Sequence, residues 1–262
     1  MTIVIGQLCS NGIVIGADGA CTLNRPDGSY TSRMPIKKLC LVDKSLIYGF
    51  SGDVGFSQQL FSAINNLWNK KELVGKSLHQ AREILRLRMY EATKNEFAIA
   101  EQTKNMFPPN WIISQSLIAV ILDHKPCLIQ FDHLFAATSA TDELSFFSIG
   151  CGQNIADPFL AFLKEVFWKN RLPNLSEGIF TVLWTLRHAI RTSPGGVSDP
   201  IQVAVLESNG TEGSARFLEE GELEGEHQQA IQGVEEYLRN FQIVMQQPKE
   251  GSVVKLPTKP IS

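Results

Sequence analysis

The first fifty residues carry four short strand-like runs with no helical period between them, and this constrains the fold more than any other feature. Thr2 to Leu8 and Gly12 to Ala17 are β-branched runs separated by Ser10-Asn11-Gly12, residues that tolerate a tight turn. Leu39 to Val42 and Ser45 to Phe50 form a second pair with Asp43-Lys44 at the tip, and Asn24-Arg25-Pro26-Asp27-Gly28-Ser29 reads as a polar loop. Strands this close, with no helix to carry a crossover, are expected to pair antiparallel.

After Gly55 the period changes. Leu60, Phe61, Ile64, Leu67 and Trp68 recur at helical spacing, as do Leu78, Ala81, Leu85, Met89 and Ala92, in a helix expected to run on until Pro108-Pro109 stops it. Strand patterns return at Ser116 to Leu122, Cys127 to Phe131 and Phe146 to Ile149, with Asp123-His124-Lys125-Pro126 as a turn. Two further helices follow, through Phe159, Leu163 and Phe167 and through Ile179, Val182, Leu186 and Ile190, the latter with Ser176 as expected N-cap. A strand at Ile201 to Leu206, a flexible acidic stretch at Glu219 to Glu226 and an amphipathic helix through Ile231, Val234, Leu238 and Phe241 complete the order. Segregated strand and helix blocks predict an α+β fold. Two antiparallel sheets face to face with helix pairs on both outer faces, a four-layer αββα sandwich with an extra C-terminal helix, would bury every apolar face.

The charge balance, 24 Lys+Arg against 27 Asp+Glu, provides no basic surface for nucleic acid. No apolar run reaches bilayer-spanning length, and the N-terminus lacks a basic region and signal-like core. Five cysteines, odd in number and without a C-x-x-C pair, read as free thiols in a reducing compartment, so the expected location is the cytoplasm. No metal-ligand spacing, G-x-S-x-G or phosphate-loop sequence is present, and neither metal nor cofactor is expected.

The chemistry points to the start of the chain. Removing Met1 exposes Thr2, and a terminal threonine carries both halves of a catalyst: a hydroxyl nucleophile and an α-amine base. Such an amine titrates near ~7.7–8.0, and a nearby buried lysine lowers that value by disfavouring a second positive charge.

Thr2-Ile3-Val4-Ile5-Gly6 followed by Asn11-Gly12-Ile13-Val14-Ile15-Gly16-Ala17-Asp18 resembles the opening of the proteasome β-subunit family, threonine peptidases of the N-terminal nucleophile hydrolase superfamily. Ile36-Lys37-Lys38-Leu39, Phe50-Ser51-Gly52-Asp53-Val54-Gly55 and Ser148-Ile149-Gly150-Cys151-Gly152 resemble its later motifs, including those of bacterial relatives. The resemblance implies Thr2 as nucleophile, Asp18 and Lys38 as a buried pair beside it, Gly52 as oxyanion donor and Ser198 in a supporting loop. It also places Thr22 against the substrate strand, and Cys21, Ile36, Cys40, Phe50 and Val54 around an apolar specificity pocket. The family's arginine after the aspartate is missing from Asp18-Gly19-Ala20-Cys21-Thr22, its later serine is Cys151, and the acid expected before Ser198 falls on Gly195. Residues 2–207 are the expected proteasome-like domain, and 208–262 an acidic connector, amphipathic helix and flexible tail.

The resemblance implies a threonine endopeptidase acting on peptides or unfolded proteins within a homo-oligomeric ring, with a separate ATPase unfoldase as a partner no sequence feature identifies. The alternatives are a weak or inactive proteasome-like structural or regulatory subunit, and an amidohydrolase acting on a small amide.

Overall fold

The computed structural model describes residues 2–24, 30–103, 114–193, 196–210 and 213–246. The first two strands, β1 (Val4–Cys9) and β2 (Gly12–Ala17), form a hairpin. β3 (Ala20–Asn24) and β4 (Tyr30–Pro35) pair in a small two-stranded sheet that the sequence did not predict. β5 (Leu39–Val42) and β6 (Leu46–Gly52) lead into α1 (Val54–Asn69) and α2 (Leu78–Thr103). Next come β7 (Ser114–Leu122), β8 (Lys125–Phe131), β9 (Ala137–Ser139) and β10 (Phe146–Ile149), then α3 (Gln153–Phe167) and α4 (Leu175–Thr192). β11 (Gln202–Ser208), β12 (Gly213–Phe217), α5 (Glu220–Glu224) and α6 (Glu226–Gln246) follow. One five-stranded antiparallel sheet has the order β10-β1-β2-β11-β12 and the other β5-β6-β7-β8-β9. The fold is thus a mixed α and β one with antiparallel sheets.

Both faces of these sheets are covered, which is why β1 and β2 read as continuous apolar runs rather than alternating ones. Along the start of the chain Ile3 and Ile5 pack with Leu160 and Leu163 of α3 and Val182 and Leu186 of α4, while Val4 and Leu8 join a cluster shared with Ile47, Leu117 and Leu128 of the other sheet. Tyr48, Ile118 and Ile129 face α1 and α2 through Leu60, Ile64, Leu85 and Met89. Two hairpin tips have left-handed backbone at both central residues, Asp43 and Lys44 (φ 46° and 51°) and Asp123 and His124 (φ 47° and 61°), the geometry that matches strand twist. The second turn is therefore narrower than expected, with Lys125 and Pro126 belonging to β8.

The N-cap of α4 is Asn174, not Ser176. Its side chain accepts the Glu177 N–H (3.0 Å), and the Glu177 carboxylate accepts the Asn174 N–H (2.9 Å), a reciprocal capping box that satisfies two otherwise unpaired donors. Arg171 grips the same carboxylate and, as the main cause, holds its pKa at about 2 against the usual 4.5. The folded value lies below the unfolded one, so the pair stabilises above pH ~4.5 and that contribution is lost as pH falls toward about 2. Because both side chains are partly exposed, we expect Glu177→Gln to cost only about 1 kcal/mol at pH 7. Paired thermal melts check this: the difference between wild type and variant should shrink by about pH 3.

The acidic stretch also differs from expectation. Glu219 caps α5 through a box with Glu222, which binds Arg216, and Leu223 is buried in the α3–α4 cluster. α6 continues from it, with Ile231 and Val234 packed on the same cluster and Glu235 tied to Trp184 and Arg191 of α4. The expected stop at Pro108-Pro109 and the tail from Pro248 lie outside the described residues.

Candidate active site

Asp18 follows the last residue of β2 and is fully buried. Its Oδ1 accepts the Lys38 ammonium (2.6 Å) and the Ile3 N–H (2.8 Å), and its Oδ2 accepts the Ala20 N–H (3.2 Å) and the Ser198 N–H (3.4 Å). A buried carboxylate is tolerable when its acceptor sites are filled in this way. Lys38, only 3% exposed, precedes β5; burial pushes its pKa below the usual lysine value, and Asp18 partly offsets the shift. The ion pair therefore sits one residue from Thr2, linked to it through the Ile3 amide.

Thr2 is seated by the turn after β10. Its carbonyl accepts the Gly152 N–H (3.2 Å) and the Cys151 S–H (3.4 Å), while its N–H donates to Cys151 Sγ (3.1 Å). Gly150 has φ +95°, and a Cβ there would lie 2.3 Å from the Thr2 carbonyl oxygen and 2.7 Å from Ser51 Oγ. Only glycine fits so close an approach in that conformation. Behind the turn, Gln115 Oε1 accepts the Gly150 N–H (3.2 Å), and Ser148 donates to Asp157 (2.5 Å).

Gly52 ends β6 at φ +117°, next to Ser51, and is followed by Asp53, which caps α1 by accepting the Phe56 N–H (2.7 Å). Ser198 meets the site through its main chain: its N–H donates to Asp18, its carbonyl accepts the Gly19 N–H (3.1 Å), and its hydroxyl donates to the Asp199 carbonyl (3.5 Å). The half-buried Cys21 lies opposite Met34 in β3–β4, and the half-buried Ile36 donates its N–H to the Gly19 carbonyl (2.8 Å). Thr22 lies opposite Arg33 in the same ladder; its side chain lies outside the described residues. Phe50 donates its N–H to the Lys38 carbonyl (3.2 Å), but its ring and Cys40 pack into the cluster that faces α1, where burial pushes the Cys40 thiol up. Val54 opens α1 and is half-buried.

Thr2, Asp18, Lys38, Cys151 and the Ser198 main chain are thus brought together, with Ser51 joining Gly52 to the Thr2 seat. Two side chains without a motif also hold this region, Gln115 at the Gly150 N–H and Gln202 at the Lys38 N–H and the Ile36 carbonyl, and an amide carries no chemical signature that would single it out in a sequence. A cavity of about 570 Å³ between α1 and α2 is lined by residues such as Gln59, Asn66 and Arg88 and does not reach Thr2.

The fold is similar to that of Anbu. A mutant of Anbu from Hyphomicrobium sp. strain MC1 superposes with a TM-score of 0.68 at 17% identity, covering 97% of this chain and 100% of that one. Anbu, described as an ancestral β-subunit, from Yersinia bercovieri gives 0.65 at 14% identity over 97% and 100%. The helical assembly of the Anbu complex from Pseudomonas aeruginosa gives 0.63 at 14% identity over 98% of each chain. The shares covered are too large to leave α6 out of the likeness to Anbu. No protein-family model and no curated sequence matches the chain.

Proposed function

We propose that the chain is a threonine endopeptidase of the proteasome β-subunit kind, with Thr2 as nucleophile once Met1 is removed. One observation carries the reading: the Asp18 carboxylate, 2.6 Å from the Lys38 ammonium, is 2.8 Å from the amide next to Thr2. A fully buried ion pair is a poor source of net stability, so its placement under the first residues favours a chemical use.

In this mechanism the Thr2 hydroxyl attacks the scissile carbonyl while its α-amine takes the proton, directly or through water. The charge of Lys38 keeps the amine unprotonated near neutral pH. The Gly52 N–H stabilises the oxyanion, the amine returns its proton to the leaving group, and water hydrolyses the ester. Asp18 holds Lys38, and the Ser198 main chain holds Asp18. Thr22 lies against the substrate strand, and Cys21, Ile36 and Val54 line an apolar pocket for the residue before the cleaved bond, backed by Phe50 and Cys40 from the cluster that faces α1.

The likeness to Anbu and the three apolar clusters support the four-layer αββα reading, in which β12, α5 and α6 pack on the layers built by the preceding residues. Copies of the chain associate, as the helical assembly named for the Pseudomonas protein supports, into a ring or related array that keeps the site from folded cytoplasmic proteins. The test is hydrolysis of fluorogenic peptides with an apolar residue before the cleaved bond. Thr2→Ala should lower the rate roughly 10³-fold or more. Equal rates in wild type and variant would refute the proposal.

A further inference from the structure

Lys37 and Lys38 are adjacent, and the site uses one of them. Successive side chains of an extended segment point to opposite faces, so a one-residue slip would offer Lys37 to Asp18 and turn Lys38 to solvent. Residues 36–38 lie between β4 and β5 and belong to neither strand, so their register needs another source.

Gln202 supplies it. Its Oε1 accepts the Lys38 N–H (3.1 Å) and its Nε2 donates to the Ile36 carbonyl (2.6 Å). The two bonds straddle Lys37 as the main chain of a parallel neighbouring strand would, so the carboxamide acts as a strand one residue long. Gln202 itself lies opposite Ala17, the residue before Asp18. The ruler and the carboxylate are therefore fixed on adjacent strands. The Ile36 N–H bond to the Gly19 carbonyl (2.8 Å) and the Phe50 N–H bond to the Lys38 carbonyl (3.2 Å) complete the hold on the segment. The result is visible in burial: Lys38 is 3% exposed and Lys37 is exposed. Only a carboxamide offers a donor and an acceptor at this spacing; glutamate lacks the donor and leucine lacks both.

We infer that Gln202 is a positioning residue that selects Lys38 over Lys37 as the partner of Asp18. Its consequence for catalysis rests on the peptidase reading above, so the test separates the two. Trace acetylation of the full chain, read by peptide mass, reports how well each lysine is protected; acylation by a β-lactone reports Thr2. In wild type, Lys38 should label at least about tenfold more slowly than Lys37. Gln202→Leu should cut that protection, and slow Thr2 acylation, each by roughly tenfold or more, the loss expected for two buried hydrogen bonds. Gln202→Glu should fall between, and Lys37→Ala should leave the Lys38 protection and the acylation unchanged.

Unchanged Lys38 protection in Gln202→Leu, or in the near-isosteric Gln202→Glu if the leucine variant does not fold, would overturn the inference. So would a variant in which Lys38 loses protection only in step with a general fall in melting temperature, since that is a merely structural role. If wild type is never acylated yet Lys38 protection collapses in the variants, Gln202 keeps its role and the peptidase reading falls. If wild type is acylated and the variants match it in both readouts, the reverse holds.

Discussion

Replacing Asp18 by alanine is expected to lower the melting temperature by roughly 10 °C and to abolish the reactivity of Thr2. The substitution leaves the Lys38 ammonium buried without its partner and orphans the amide protons of Ile3, Ala20 and Ser198 at the same time. Losing one partner of a buried ion pair costs about 3–5 kcal/mol, because the remaining charge keeps its desolvation penalty and loses its compensation. Lys38→Met provides the contrast. It removes the charge but keeps an apolar stem in the buried position, and Asp18 retains three amide donors. Its melting temperature should stay nearer to wild type while Thr2 reactivity is still lost. Thermal melts and Thr2 acylation on both variants check this; two variants equally unstable, or an Asp18→Ala protein that melts like wild type, would contradict the role given to the pair.

Gly150→Ala is expected to have the second largest effect. The added methyl would meet the Thr2 carbonyl oxygen at 2.3 Å and Ser51 Oγ at 2.7 Å, in a backbone conformation of φ +95° that side-chain-bearing residues rarely adopt. The Thr2 carbonyl has no room to yield because it is held by Gly152 and Cys151, so the clash with that main-chain oxygen carries the effect even where Ser51 Oγ rotates away. Strain of this kind costs about 1–3 kcal/mol, and displacement of Thr2 by even an ångström can cost about 10²-fold in rate. Melts should therefore show a moderate loss of stability, and acylation kinetics a disproportionate loss of Thr2 reactivity. An alanine variant that reacts at the wild-type rate would mean that this turn does not set the threonine.

The legible parts of the fold are those with a physical period. β1, β2, β5, β6 and the helices α1 to α4 declare themselves because their apolar residues repeat with the spacing of a buried face. β3 and β4 carry no such repeat, and of their described side chains Cys21 is only half-buried and Met34 is 53% exposed. β12 escapes because no buried repeat marks it: Ala215 is its buried side chain, and Phe217 is exposed. α5 was hidden by Gly221 and Gly225, yet the Glu219–Glu222 box and Arg216 hold it. Ser176 was a plausible cap by residue type, but Asn174 is the residue with a glutamate three positions on, and the reciprocal pair decides where α4 starts.

The candidate site divides in a similar way. Asp18 and Lys38 stand out in the sequence because a charged residue flanked by strand residues is costly unless it is paired, and they do pair. The choice between Lys37 and Lys38 is set by Gln202, more than 160 positions along the chain. Its role rests on amide geometry, which no local pattern encodes. Likewise, the demand for glycine at position 150 becomes visible only when the Thr2 carbonyl is packed against it.

Intact mass before and after treatment with a threonine-directed β-lactone, with Thr2→Ala in parallel, tests the central claim most directly. The account predicts a protein that has lost Met1 and gains a single adduct on Thr2, absent in the variant. Retained Met1, or a free Thr2 that never reacts in the assembled protein, would contradict it.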